Sequence, residues 1–127
     1  MEAVDPVVVR GGSLRDAREI RELVLDNADM GTPALSVFVD APRPDETEEE
    51  CIERICRVQG IPHGKIQLSS VSRLEAAGFR LTHEPGGNQG PHHYHVHFDV
   101  PVEQSQAEGF VASFESPVPN PIKRGKA

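Results

Sequence analysis

Histidines near the end of the chain are the residues whose types and spacing most directly indicate chemistry. Five of the six histidines lie between residues 83 and 97, and residues 92–99 read His-His-Tyr-His-Val-His-Phe-Asp. Side chains of a β-strand alternate between its two faces, so an extended run here places three imidazoles and one carboxylate together. The residues predicted to share that face are His93, His95, His97 and Asp99.

Metal binding is one chemistry that such a face supports. Imidazoles two residues apart on a strand can converge on one zinc or other transition-metal ion. We therefore take these four residues as candidate metal ligands, with His83 or Glu84 as further ligands. A catalytic ion also needs a general base, for which Glu84 is the nearest candidate in the sequence. The alternative is a solvated strand face with no catalytic role.

The same run resembles the signatures of two enzyme families. His93-Tyr-His95-Val-His97 is similar to the His-φ-His-φ-His strand of histidine-triad nucleotide hydrolases and transferases. That resemblance implies His95 as the nucleophile, with His93 and His97 assisting. The His-hydrophobic-His spacing also resembles the metal-binding motif of HUH nicking endonucleases, which need a tyrosine nucleophile. We reject this second interpretation, because the only tyrosine, Tyr94, would face away from the histidines.

Length and composition indicate one domain with an aliphatic core. The chain has 127 residues, 37% of them hydrophobic, with five phenylalanines and no tryptophan. Cys51 and Cys56 are five residues apart in a predicted helix and point about 140° apart, so we expect two reduced thiols and no disulfide. No apolar run approaches the ~20 residues of a membrane span, and no signal peptide is evident. These features predict a cytoplasmic protein with no membrane partner.

Charge is unevenly distributed along the chain. The net charge of −7 argues against nonspecific binding to nucleic acid or anionic membranes. Acidic residues are concentrated between residues 45 and 53, where they accompany a helix start, whereas residues 54–98 contain five basic and only two acidic residues. That second window is therefore locally basic.

Hydrophobic periodicity and capping residues predict a single α+β domain over residues 13–116. Residues 1–12 are expected to be an N-terminal arm or a short edge strand, and residues 117–127 a Pro-rich, basic tail. The first turn of the helix predicted at residues 65–77 could instead be a strand, with Ser69 or Ser70 as the helix cap. The predicted elements are helix 13–26, capped by Ser13, strand 34–40, a helix from the Thr47/Glu50 capping box to Gly60, helix 65–77, hairpin strands 79–83 and 92–100, and helix 102–115.

The order of these elements resembles the winged helix-turn-helix, with one added C-terminal helix. The best local match is Val-Ser-Arg-Leu-Glu-Ala-Ala-Gly-Phe at residues 71–79, similar to the end of a recognition helix as it enters the wing. The resemblance implies a non-enzymatic regulatory module that binds DNA, with polar positions of the third helix facing a groove. The implied nucleic-acid contacts are Lys65, Gln67, Ser69, Ser70, Ser72, Arg73 and Arg80.

Two other functions stay open on the sequence. One is a protein–protein interaction or adaptor module, since many domains of this shape bind proteins. The other is a metal-dependent or histidine-triad-like hydrolase that uses His93, His95 and His97, for which zinc is the expected cofactor. A positive face on the third helix and wing would favour nucleic acid, an exposed apolar patch would favour a partner protein, and convergent imidazoles would favour an enzyme.

Overall fold

A computed structural model describes residues 5–123 and contains one six-stranded sheet with helices on both faces. The strand order is β4-β5-β2-β1-β3-β6, and every neighbouring pair is antiparallel. The predicted α+β class is therefore confirmed. In chain order the elements are β1 (Val7–Gly11), α1 (Ala17–Asp29), β2 (Ala34–Asp40), α2 (Glu48–Gln59), β3 (Lys65–Ser70), α3 (Val71–Ala76), β4 (Arg80–His83), β5 (His93–His97), α4 (Gln104–Ala112) and β6 (Val118–Pro119).

The first strand is central to the sheet, which corrects the expectation of an arm or edge strand at residues 1–12; residues 1–4 of that segment lie outside the described residues. β1 pairs with β2 on one side and β3 on the other, and Val7, Val8 and Val9 are all buried. Alternate side chains of this strand enter opposite cores, Val8 on one face and its two neighbours on the other. The run of three valines is thus a strand buried on both faces.

The expected tail also contributes to the domain. β6 pairs with β3, and the buried Asn120 donates hydrogen bonds to the carbonyl oxygens of Ile61 and His63. The domain therefore extends beyond the predicted boundary at residue 116. Residues 124–127, with two of the tail's basic side chains, lie outside the described residues.

Two hydrophobic cores lie on opposite faces of the sheet. Helices α1 and α4 cover the first face, which we call the α1/α4 face, and α2 covers part of the second, which we call the α2 face. Phe110 and Phe114 are buried on the α1/α4 face, as their helical spacing predicts. Cys51 and Cys56 are buried free cysteines on the α2 face.

Local capping chemistry sets the helix ends. The predicted capping box of Thr47 and Glu50 opens α2, and Gly60 ends it in the left-handed conformation. α1 begins later than predicted because the cap is Asp16, whose carboxylate accepts from the backbone N–H groups of Arg18 and Glu19. α4 is likewise shorter than the predicted 102–115.

The helix predicted at residues 65–77 is wrong over its first half. Lys65–Ser70 form β3 and only Val71–Ala76 are helical, with Ser70 as the cap that accepts from Arg73 N, which confirms the alternative of an initial strand ending at a serine cap. Pairing with β1 at five positions holds residues 66–70 extended. These residues therefore lie inside the sheet instead of forming the first turns of a recognition helix. The winged-helix arrangement itself is not confirmed.

The predicted hairpin is present, with shorter strands than expected. β4 and β5 pair antiparallel from Arg80 opposite His97 to His83 opposite Tyr94, and residues 84–92 connect them. Within the described part of the chain, no helix is both long and apolar enough to cross a membrane.

Candidate active site on the histidine strand

The three alternating histidines share one face of β5, as the sequence predicts. The ring centroids of His93 and His95 are 5.1 Å apart, and those of His95 and His97 are 5.9 Å apart. Val96 between them enters the core of the opposite face. The histidines therefore lie on the α2 face. Because α2 packs against β1 and β2, they lie beside that helix instead of beneath it.

His93 is buried and hydrogen-bonded at both ring nitrogens. Its Nδ1 lies 2.8 Å from the carbonyl oxygen of Glu84, and its Nε2 lies 2.9 Å from the hydroxyl oxygen of Ser36. A carbonyl oxygen only accepts, so Nδ1 carries the proton. In the neutral ring Nε2 is then an acceptor, and the Ser36 hydroxyl donates to it.

Glu84, His95 and His97 bring three ligand atoms within 4.8 Å of one another. Two histidines and one glutamate form a donor set of catalytic zinc sites, which keep a fourth position open for water or substrate. Zinc bonds of about 2.1 Å place tetrahedral ligand atoms roughly 3.4 Å apart. An ion would therefore draw the three ligand atoms closer together.

Thr82 links two of these groups. Its hydroxyl donates to Glu84 Oε2 at 2.8 Å and lies 2.7 Å from His97 Nε2, from which it accepts. This hydroxyl holds the carboxylate and the imidazole toward each other. Supporting hydrogen bonds of this kind orient metal ligands and are a regular part of metal sites.

The protonation states of these groups suit metal binding. The pKa of His97 is lowered by burial, and further by the nearby charges of Arg80 and His95. The pKa of Glu84 is lowered mainly by the Thr82 hydrogen bond. At neutral pH the imidazole is therefore neutral and the carboxylate ionised, which are the forms that bind a metal ion.

Two predicted ligands lie outside this group. Asp99 is exposed and follows the end of β5, because the strand stops at His97 and the alternation of faces stops with it. Both ring nitrogens of His93 are engaged in hydrogen bonds, Nδ1 with the Glu84 carbonyl oxygen and Nε2 with the Ser36 hydroxyl. His83, a further ligand candidate, stacks on Tyr94 and directs its Nε2 to the carbonyl oxygen of Pro91 at 2.7 Å.

The residues predicted to contact nucleic acid do not form one exposed helix face. Gln67 and Ser69 are buried in β3, where Ser69 donates to the carbonyl oxygen of Ser113 at 2.6 Å. Gln67 donates to the carbonyl oxygens of Gly12 and Leu14. Both side chains join the sheet to neighbouring segments on the α1/α4 face.

The other five of these residues are spread over three elements. Ser70 caps α3, Ser72 donates to the Asp5 carboxylate, and Arg73 pairs with Glu115 at 3.4 Å. Lys65 is exposed on β3 beside β6, at the far side of the sheet from Arg80 on β4. Arg80 alone adjoins the histidines, directly opposite His97.

A cleft of about 340 Å³ lies beside Ser36 on the same face. The His63 ring stands against Gly11, at a place where an added Cβ would collide with it. Continuing the β1–β2 register by two residues sets Gly11 beside Ser36, and both residues line the cleft. The lining side chains include Ser36, Phe38, Gln59, Ile61, Pro62 and His63.

Sequence reasoning did not identify Ser36, Thr82 or His63 as site residues. The signal for Ser36 in the sequence was a polar residue between the apolar Leu35 and Val37, in a strand that is apolar from Ala34 to Val39 except at Ser36. Ser36 on β2 and Thr82 on β4 both lie directly opposite His95, one on each side of β5. No local pattern marks His63, which reaches the site through the fold of the loop that follows α2.

Comparisons with protein-family models, with curated proteins and with solved structures gave no match. The function is therefore inferred from the geometry of the site.

Proposed function

We propose that this chain is a metal-dependent hydrolase of small phosphate esters, with a zinc-type ion held by Glu84, His95 and His97. The observation that carries the proposal is the convergence of their three ligand atoms within 4.8 Å. A zinc ion in such a site supplies Lewis-acid catalysis and lowers the pKa of a water molecule. The surrounding residues orient the ligands and select the substrate.

Two residues other than the three proposed ligands, Thr82 and His93, orient those ligands through hydrogen bonds. Thr82 joins the Glu84 carboxylate to the His97 ring, and His93 binds the backbone carbonyl of Glu84. Glu84 is thus held at both its side chain and its main chain. Such preorganisation reduces the cost of assembling the site around the ion.

The charge around the site favours an anionic substrate. With neutral imidazoles, a divalent ion and the Glu84 carboxylate leave one net positive charge, and the exposed Arg80 beside His97 adds another. The chain as a whole carries a net charge of −7, which disfavours a long polyanion. A small phosphate ester satisfies both conditions.

DNA regulation and protein interaction stay predictions from the sequence. The seven residues expected to contact DNA are divided among β3, α3 and β4, and two of them are buried. Among the described residues, these seven therefore do not form one surface for DNA. The histidine site is the arrangement on which we base the proposed function.

Zinc titration by calorimetry tests the ion site. We expect the wild type to bind one equivalent of Zn²⁺, and both His95→Ala and Glu84→Ala to lose that binding. His83→Ala is the matched control, because its ring faces Tyr94 and Pro91 instead of the site. Equal zinc affinity in the wild type and the His95→Ala variant would contradict the proposal.

Activity is measured with 4-nitrophenyl phosphate and bis(4-nitrophenyl) phosphate. Hydrolysis should stop on chelation and return on addition of Zn²⁺, while His95→Ala should stay inactive with or without the ion. Hydrolysis that survives complete removal of metal would refute the metal-dependent function.

A further inference from the structure

The hydrogen bond between Ser36 and His93 has the geometry of an activated nucleophile. Resting on the proposed hydrolase function and extending it, we propose that Ser36 is the catalytic nucleophile and that His93 is its general base. Their 2.9 Å contact lies within the range expected for a nucleophile and its base. The Glu84 carbonyl holds the far side of the ring, as a third group does in other nucleophile–base pairs.

The two residues differ in exposure as these roles require. Ser36 is exposed, whereas His93 on the neighbouring strand is 3% exposed. The hydroxyl can therefore meet a substrate from solvent, while the base is shielded and held in one tautomer. The serine hydroxyls of Ser69, Ser72 and Ser113 instead bind backbone or carboxylate oxygens.

Ser36 is also the strand neighbour of one proposed ligand. It lies directly opposite His95 in the β2–β5 register, and adjacent strands are about 4.8 Å apart. An ester oxygen held near Glu84, His95 and His97 would therefore leave its phosphorus on the same face of the sheet as the Ser36 hydroxyl. Positioning of this kind supplies much of the catalysis in phosphoryl transfer.

The reaction balances in two steps with water as the second reactant. In the first, the Ser36 Oγ–P bond forms and the bond from phosphorus to the leaving oxygen breaks. The serine proton passes to His93 Nε2 and then to the leaving oxygen. In the second, a water oxygen bonds to phosphorus, the Oγ–P bond breaks, and a water proton returns through His93 to Oγ.

The cleft beside Ser36 is placed to receive the leaving group. Its volume of about 340 Å³ is within the range of small-molecule sites, and Phe38, Ile61 and Pro62 supply apolar walls. His63 and Gln59 add polar groups at its rim. We therefore expect a leaving group with a flat, apolar part, for which a nitrophenyl ester is a suitable probe.

Covalent labelling tests the nucleophile. Diisopropyl fluorophosphate phosphorylates an activated serine, as the Oγ–P bond forms, the P–F bond breaks and fluoride leaves. Intact-mass and peptide analysis of the zinc-loaded protein should show one adduct, on Ser36. We expect Ser36→Ala to abolish the adduct and His93→Gln to slow its formation at least tenfold.

Matched variants separate a catalytic role from a structural one. Ser105→Ala removes another exposed serine and should label at the wild-type rate. Ser36→Thr keeps a hydroxyl and should retain a covalent adduct, while Ser36→Ala should keep its zinc affinity. A merely structural hydrogen bond would yield no adduct in the wild type, and that result would overturn the inference.

Zinc binding by the wild type and the activity of Ser36→Ala separate the serine mechanism from the proposed hydrolase function. If zinc binds and phosphate esters are hydrolysed at the wild-type rate in Ser36→Ala, the nucleophile is not Ser36 and the hydrolase stands. If the wild type binds no zinc, the proposed function fails, and the serine mechanism built on it fails as well.

Discussion

Gln59, the last residue of α2, accepts a hydrogen bond from the backbone N–H of His92 at 2.9 Å. Its amide nitrogen donates to the carbonyl oxygen of Gln89 at 2.8 Å. One side chain therefore anchors the loop that leads from Glu84 to the histidine strand. The proposed ion site depends on this anchor, because Glu84 begins the same loop.

Gln59→Ala should weaken zinc binding by at most about tenfold, the lower end of the cost of losing a residue that hydrogen-bonds a metal ligand directly. The variant removes both loop contacts and touches no proposed ligand. Calorimetric titration with Zn²⁺ measures the change. Gln89→Ala is the matched control, because only the backbone of Gln89 takes part in the anchor. Equal affinities for the two variants would contradict the proposed role.

Phe114→Ala should destabilise the fold by about 3–5 kcal/mol, the usual cost of truncating a buried aromatic side chain. Phe114 is 3% exposed, and its ring centroid lies 5.0 Å from that of Phe110. Urea unfolding followed by circular dichroism gives the free energy of unfolding. Val58→Ala, at a residue 51% exposed, should change it little. A loss in Phe114→Ala as small as that in Val58→Ala would contradict a major contribution of Phe114 to the stability of the core.

Stability should fall as the pH drops below about 6.5, the ordinary pKa of histidine. Burial lowers the pKa values of both His92 and His97, the latter also through Arg80 and His95. The unfolded chain therefore binds more protons in this range, so acid favours unfolding, and the stability present above pH 6.5 is lost toward the lowered pKa values.

Urea unfolding at pH 7.5 and pH 5.5 measures this loss. The double variant His92→Gln, His97→Gln removes both titrating rings and should reduce the difference between the two conditions. The carboxylates with lowered pKa values, among them Asp40 and Glu84, titrate at lower pH and should contribute little over this range. A pH dependence unchanged in the double variant would exclude these histidines as its source.

Gly11→Ala should raise the KM for a nitrophenyl ester and leave zinc affinity unchanged. An added Cβ at Gly11 would collide with the His63 ring and push it out of its place in the cleft. Steady-state kinetics separates KM from kcat. Gly109→Ala is the control, since nothing lies within 4 Å of its added Cβ. An unchanged KM in Gly11→Ala would show that substrate does not contact this part of the cleft.

Several features followed from the sequence alone because they depend on neighbours along the chain. Alternation places His93, His95 and His97 on one face of any extended strand. The Thr47 and Glu50 capping box is complete within four residues. The helical spacing of Phe110 and Phe114 likewise requires no knowledge of the rest of the fold.

The tertiary structure decided which groups meet across strands. β3 is a strand because it pairs with β1, and that pairing joins segments about sixty residues apart. Glu84 instead of Asp99 joins His95 and His97, because β4 lies beside β5 while the strand ends before Asp99.

Ser36 shows most clearly which features the local sequence determined and which features depended on strand pairing. Its outward position could be read from the alternation in Leu-Ser-Val, but its partner could not. The Ser36–His93 contact spans 57 residues and exists because β2 pairs with β5 in one register. A shift of that register by one residue would turn the opposing side chains to the other face. Local periodicity thus determined the faces, and non-local strand pairing determined the site.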